Sequence, residues 1–332
     1  MLVQTVLPET SGSTQVLRVK VASRRREAIN IDSFELTSLD GSALPPFSAG
    51  SHIDVRVSDG LVRQYSLCNA PSERHRYLIA VLKEENSRGG SRAMHEAIHI
   101  GDEITISRPR NHFELSASGL PTLLFAGGIG VTPILAMAER LYAAGADFQM
   151  YYCARSQERM AFYDRISESG FASRVLFHFD DGARTQKLDI AAVLDRIGAQ
   201  QELYVCGPGG FMDAVLGQAR ARAWPEDRLH YEFFSAKPCN TDGDRAFEVH
   251  LARSGRLVVV GRDQTVAQAL ADAGVRIPLS CEQGVCGTCV TRVLEGIPAH
   301  KDVYLTPEEQ AVNDRFTPCC SRANTARLVL DL

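Results

Sequence analysis

No stretch of this chain reaches the roughly 18 consecutive apolar residues that a membrane-crossing helix requires, so no membrane partner is expected. Positive charge is not in surplus either. Lys and Arg number 36 against 40 Asp and Glu, a net charge of −4, and without a basic footprint a nucleic-acid partner is not expected. The opening residues, MLVQTVLPETSGSTQ, lack both a basic start and a long apolar core. They read as a loose tail over 1–15 rather than a secretory leader, and a cytoplasmic location is expected by default. There is no internal repeat and no low-complexity tract. Even the cysteines do not suit a disulfide framework: nine is an odd number, spread over a long chain with no export signal.

What is present divides into three textures. The 332 residues are too many for one ordinary core, so two or three domains are expected. Over 16–117, short β-rich runs (VLRVKVAS, HIDVRVS, YLIAVL, EITISRP) are punctuated by Gly, Pro and Asp, the pattern of an antiparallel barrel, with one short helix starting near Ser91. Over 118–236, strands such as TLLFAG, FQMYYCA and LYVCG alternate with helical stretches, among them RMAFYDRISES and FMDAVLGQARARA. That alternation means a parallel sheet covered on both faces, an α/β domain. A polar segment over 237–246 reads as a linker. The final part, 247–332, opens with two strands and a helix (TVAQALADAG), passes through a cysteine-rich loop and closes on the strand LVLDL.

Five of the nine cysteines fall in the last quarter. Cys281, Cys286 and Cys289 follow a C-x4-C-x2-C pattern, and Cys319 comes thirty positions later. This is the plant-type [2Fe–2S] spacing, in which a tight loop supplies three thiolates and a distant strand the fourth. Gly284 and Gly287 suit a loop that must wrap a cluster and turn N–H groups toward sulfur. Structural zinc is the alternative, but it favours two C-x2-C knuckles and only one exists here. Cys320, adjacent to Cys319, reads as a small buried apolar residue.

Two glycine loops carry a second signal. Gly127-Gly128-Ile129-Gly130-Val131-Thr132 follows a buried strand and opens a helix, and Cys206-Gly207-Pro208-Gly209-Gly210 does the same later. Glycines let backbone approach a pyrophosphate, and ligands of open parallel sheets bind outside the carboxyl ends of strands. A tight strand–helix turn is the plainer explanation for either loop alone. In the barrel, Arg63-Gln64-Tyr65-Ser66 offers an arginine to a phosphate and an aromatic ring to a flat cofactor, and Gly89-Gly90-Ser91 precedes the short helix. His95-Glu96-Ala97-Ile98-His99 matches the H-E-x-x-H zinc motif, yet it sits on a short helix with no evident third ligand and reads as a chance match.

In this order, RQYSL (63–67), RGGS (88–91), PRNHFEL (109–115), GGIGVTPI (127–134), CGPGGFM (206–212), YEFF (231–234) and CEQGVCGTC (281–289) resemble the phthalate dioxygenase reductase family. The resemblance implies a flavin-binding β-barrel, a ferredoxin reductase-like nucleotide domain and a C-terminal α+β β-grasp ferredoxin. It implies FMN rather than FAD, NADH rather than NADPH, and a [2Fe–2S] cluster held by Cys281, Cys286, Cys289 and Cys319. Arg63, Gln64, Tyr65 and Ser66 would hold the flavin ring and phosphate, with Gly89, Gly90 and Ser91 completing the phosphate site. Ile79, Ala80 and Val81 would line the flavin through their backbone. Gly128, Thr132, Cys206, Gly207 and Pro208 would position the nicotinamide, and Phe234 would cover the flavin face. Tyr65, Ser66, Cys206 and Phe234 would stand nearest the reacting atoms. Gln64 departs from a threonine common in the family, and Arg155, after the second nucleotide-domain strand, is a residue that could accept a 2′-phosphate. The implied activity is hydride transfer from NADH to the flavin, then single-electron delivery through the cluster to a terminal Rieske-type oxygenase, by a reductase that is monomeric alone. A cytochrome P450 acceptor, and a cluster module without turnover, are the competing readings.

Overall fold

The structure, a computed structural model, describes residues 16–58, 61–85, 87, 89–234 and 243–332. The expected tail, Arg88 of the phosphate loop and residues 237–242 of the expected linker lie outside the described residues. Residues 243–246 lie against the C-terminal part, where Asp244 pairs with Lys301 at 2.8 Å.

Alternating apolar residues build the first sheet. Strands β1 (Val16–Ala28), β2 (Ile31–Ser38), β3 (Ser51–Ser58), β4 (Leu61–Ser66), β5 (Tyr77–Leu82) and β6 (Glu103–Ser107) run in the order β4-β3-β6-β1-β2-β5, all antiparallel, with the two-residue β7 (Arg110–Asn111) on β3. A single bridge, Leu67 to Ile79, joins the two ends and closes the barrel. Phe34, Leu36, Ile53, Val55 and Ile79 fill the interior with no exposure, each such side chain contributing about 1.5–3 kcal/mol by leaving water. Helix α1 (Gly90–Glu96) plugs one end through the fully buried Met94.

The second sheet reads as near-continuous hydrophobic runs because both of its faces are covered. Its strands are β8 (Thr122–Gly127), β9 (Phe148–Ala154), β10 (Val175–Phe179), β11 (Glu202–Cys206) and β12 (Leu229–Glu232). All neighbours are parallel, in the order β10-β9-β8-β11-β12. Period-two alternation splits the strand residues: Leu124, Ala126 and Tyr152 pack with helix α2 (Val131–Ala143), while Leu123, Phe125 and Tyr151 pack with α4 (Ile190–Ile197) and α5 (Gly209–Ala221). The order reverses direction between β8 and β11, so the two glycine loops meet at the switch point where such sheets bind ligands. The helix expected over RMAFYDRISES is shorter than its pattern. Phe162 takes a left-handed conformation (φ 62°), which admits helix only from α3 (Tyr163–Ser167) onward.

The C-terminal sheet pairs β13 (Phe247–Leu251) with β14 (Arg256–Val260) as a hairpin, lays β19 (Arg327–Leu330) parallel to β13, and adds β15 (Thr291–Glu295) and β17 (Arg315–Phe316). Helix α6 (Val266–Asp272) starts at a capping box of Thr265 and Gln268 and buries Val266, Ala269 and Leu270 on this sheet. The short pair β16 (Pro298–Ala299) and β18 (Arg322–Ala323) flanks it. Helix α7 (Pro307–Val312), not expected from the sequence, begins with the same device, Thr306 and Glu309.

Candidate functional site

A cavity of about 950 Å³ lies where the three parts of the fold converge. The barrel contributes Arg63, Gln64, Tyr65 and Ser66 from β4, Ala80 and Val81 from β5, and Gly90 and Ser91 at the start of α1. The parallel sheet contributes Ile129, Thr132 and Glu232, the segment after it Phe234, and the cysteine loop Cys281 and Cys286. A cavity of this size with a few convergent polar groups suits a cofactor.

Its electrostatics are unusual at two points. Glu232 is half-buried as a residue, yet its Oε2 is sealed from solvent and has no hydrogen-bond partner. Burial pushes its carboxyl up to about 8, against the lowering effect of a hydrogen bond from Ser66, so it carries a proton at neutral pH. His52, opposite Ser66 in the β3–β4 ladder, is also buried, and its Nε2 has no partner. Burial, then the nearby Arg110 and His112, pull it down to about 4, leaving a neutral imidazole. Two enclosed polar groups at one cavity wall, beside an aromatic ring and two hydroxyls, fit a planar cofactor with a polar edge, as a flavin has.

The expected flavin residues fall into two sets. Gln64, Tyr65, Ser66, Ala80, Val81, Gly90, Ser91 and Phe234 reach the cavity, while Ile79, fully buried in the barrel, and Gly89 do not line it. Arg63 reaches the cavity but its guanidinium turns toward the cysteine loop, donating to the Ser280 carbonyl at 3.2 Å and to Glu282 at 3.0 Å. Its stem lies so close to Gly90 that a Cβ there would stand 2.5 Å from Arg63 Cγ.

Of the expected nucleotide residues, only Thr132 faces the cavity; Gly128, Cys206, Gly207 and Pro208 do not line it. The glycine loops are packed into one another: a Cβ on Gly130 would stand 2.3 Å from the Cys206 carbonyl oxygen. Close loop–loop contact therefore demands glycine here, alongside any role toward a ligand. Cys206 is fully buried, with burial holding its thiol far up in the protonated range.

The cysteines of the C-terminal loop behave differently. Cys281, Cys286, Cys289 and Cys319 are all buried and hydrogen-bond one another: Cys286 and then Cys319 pull the Cys281 thiol down, Cys319 does the same for Cys289, and Cys286 and Cys319 are themselves pushed up in return. The Gln283 N–H points at Cys281 Sγ at 3.3 Å, the backbone-to-sulfur geometry expected of a cluster loop. Among the described residues no three His, Cys, Asp or Glu side chains are set around a single ion; four thiolates shared between two irons are a different arrangement, and this donor set fits it. Cys320 packs against Cys289 and Cys319 as a small apolar residue would, but it is half-buried rather than buried and its Sγ also meets Thr317 Oγ1 at 3.2 Å.

The H-E-x-x-H match dissolves on inspection. Helix α1 stops at Glu96, so His95 and His99 share no helical face. His95 Nε2 bonds the Val81 carbonyl at 2.9 Å, and the exposed His99 lies beside Asp102. Sequence reasoning missed His52, His112, Glu232 and Tyr304 at the cavity wall. Glu232, inside YEFF, and His112, inside PRNHFEL, lay in motifs already singled out, and His52 opens HIDVRVS, which was read only as a strand.

Comparison with known proteins agrees with this layout. Residues 249–324 match the family model described as a 2Fe-2S iron-sulfur cluster binding domain. The chain is 57% identical to a vanillate O-demethylase oxidoreductase of Pseudomonas putida, over 94% of this chain and 98% of that one. Among solved structures it is similar to a phthalate dioxygenase reductase, described as a modular structure for electron transfer from pyridine nucleotides to [2Fe-2S]: 40% identity, TM-score 0.77, covering 96% of this chain and 98% of that one. It is also similar to an intact type IV self-sufficient cytochrome P450 monooxygenase (36% identity, TM-score 0.81), covering 100% of this chain but 43% of that one.

Proposed function

Because the chain belongs to the phthalate dioxygenase reductase family, we propose that it oxidises NADH at an FMN site and delivers single electrons through its [2Fe–2S] centre to a Rieske-type oxygenase, acting as a monomeric reductase component. The carrying observation is that one cavity is walled jointly by the RQYS strand, the nucleotide-loop residue Thr132 and two cluster cysteines. A bound flavin supplies the change from two-electron to one-electron chemistry, and the iron–sulfur centre the onward relay.

The chain's own residues bind, orient and exclude water. Tyr65 and Phe234 offer ring faces to a flat cofactor, and Ser66 offers its hydroxyl. Gly90 and Ser91 shape the phosphate end, where the Arg63 stem packs on Gly90 while its guanidinium donates to Ser280 and Glu282 of the cysteine loop. Glu232 holds a proton at its carboxyl beside Ser66, next to the strand end that carries Cys206. The glycine loops position a dinucleotide by backbone, which makes Cys206, Gly207 and Pro208 supports rather than cavity contacts. Cys281, Cys286, Cys289 and Cys319 would hold the two irons.

The test is the absorption spectrum of purified protein before and after anaerobic NADH. Bleaching of a yellow chromophore together with a reduced iron–sulfur EPR signal is the expected result; neither change would end the reading. Extracted flavin run on chromatography decides FMN against FAD. Arg155, exposed just past β9, is where a 2′-phosphate would find a cation, so kcat/KM for NADH and NADPH should be compared directly. The likeness to a self-sufficient P450 makes a haem monooxygenase the second acceptor class to assay.

A further inference from the structure

The cysteine loop is fastened to the barrel at two places, and they differ in kind. Before Cys281 the fastening is polar: Arg63 reaches Ser280 and Glu282, and Ser280 Oγ lies 3.4 Å from Asp54. After Cys286 it is aromatic. The Tyr304 ring lies on the backbone of Gly287, so close that a Cβ there would stand 2.1 Å from Tyr304 Cζ. The ring also meets His112 of the barrel edge-on, with centroids 6.4 Å apart at 89°, and His112 in turn leans on His52 at 5.5 Å.

Both ends of this wedge are held by hydrogen bonds. The Val303 N–H donates to the Gly284 carbonyl at 3.1 Å, tying Tyr304's segment to the cysteine loop. Asp302 accepts from the Leu305 N–H at 2.8 Å, and Gln310 of α7 braces the Asp302 and Leu305 carbonyls. On the barrel side, Asn111 anchors the strand before His112 to Ser48 and Ala49. Tyr304 is 38% exposed, so burial alone does not account for its placement.

We infer that Tyr304, wedged between Gly287 and His112, is a positioning residue that fixes the spacing between the cysteine loop and the flavin cavity and so governs the rate of electron passage between them. The inference rests on the proposed reading that both cofactors bind at this cavity. Loss of geometry alone is enough to slow such a step, because electron passage between two held centres falls exponentially with the gap between them. The polar fastening remains when the ring is removed, so the loop loosens without detaching.

The test uses the full cofactor-loaded protein and three variants: Tyr304→Ala, Tyr304→Phe and His112→Ala. Rapid mixing with NADH separates flavin bleaching from appearance of the reduced-cluster EPR signal. Hydrogen exchange at residues 284–290 and 110–114 of the resting protein reports the seam without turnover. Tyr304→Ala should lower the ratio of cluster-reduction rate to flavin-bleaching rate severalfold, whatever the bleaching rate itself becomes, and should raise exchange on both sides of the seam. His112→Ala should do the same to a smaller degree, and Tyr304→Phe should keep the ratio and the exchange because the ring makes the contact. An unaltered ratio in Tyr304→Ala would overturn the inference, as would Tyr304→Phe failing like Tyr304→Ala. If NADH bleaches nothing even in the unaltered protein, the proposed function fails instead, and exchange at the seam still judges the wedge.

Discussion

Two cysteine-bearing loops stand within one molecule and differ in what surrounds the sulfur. At the end of β11, Cys206 has hydrophobic neighbours and a buried carboxyl beside it, and its thiol is held far above the ordinary range. In the loop over 281–289 the thiols lie within hydrogen-bonding reach of one another and of Cys319, so that Cys281 and Cys289 are pulled down while their partners Cys286 and Cys319 are pushed up. The residue type is the same. The difference is whether a cysteine's neighbours are other thiols, close enough to share a proton and therefore to share a metal. Cys68 and Cys153, pushed up to about 12 by burial, side with Cys206.

The comparison breaks most visibly at the low side. Cys289→Ser should drop bound iron from about two atoms per chain to near zero and abolish the reduced-cluster EPR signal, while bleaching of the flavin by NADH persists. Iron analysis and EPR check this. Iron retained in full would mean the ligand set is drawn wrongly.

The high side is sharpened next through Glu232, which lies beside Cys206 in the β11–β12 ladder. Its carboxyl is raised from 4.5 to about 8, so between those values the folded chain keeps a proton that the unfolded chain has released. Stability from this group is complete at low pH and is lost as pH rises toward and through 8. Thermal midpoints from pH 5 to 9 should fall less steeply for Glu232→Gln than for the unaltered protein; parallel curves would mean the carboxyl is ionised throughout.

The smallest effect belongs to Cys206 itself. It is fully buried and does not line the cavity, so Cys206→Ala should change the rate of flavin bleaching by no more than about threefold. A tenfold loss would place its sulfur in contact with the reacting groups.

The cluster ligands were legible in the sequence because three of the four lie within nine residues (281–289), where ligand spacing is a local property of the chain. The three sheets were legible for the same reason, since period and run length report burial residue by residue. Helix α7 could have been found: Thr306-Pro307-Glu308-Glu309 spells a capping box with proline at the first turn. Tyr304 and His52 could not. Each meets His112 only because β3, the segment after β7 and the stretch before α7 converge, and nothing near either residue announces partners far along the chain. Arg63 was assigned to phosphate from its motif, while its bonds to Ser280 and Glu282 span 217 and 219 positions. The glycines at 130 and 207 were read as room for a ligand, and part of their necessity is room for each other.

The barrel's closure carries one more consequence. The ends of β4 and β5 meet at the rung between Leu67 and Ile79, the isolated bridge found among the described residues, and the cavity-lining residues at 63–66 and 80–81 start beside that rung and run away from it along both strands. A flat molecule can slide into the slit between them without severing any ladder already formed. Loading and extraction of the pigment should therefore leave the β-sheet circular dichroism essentially intact, as a bookmark leaves the binding of a book.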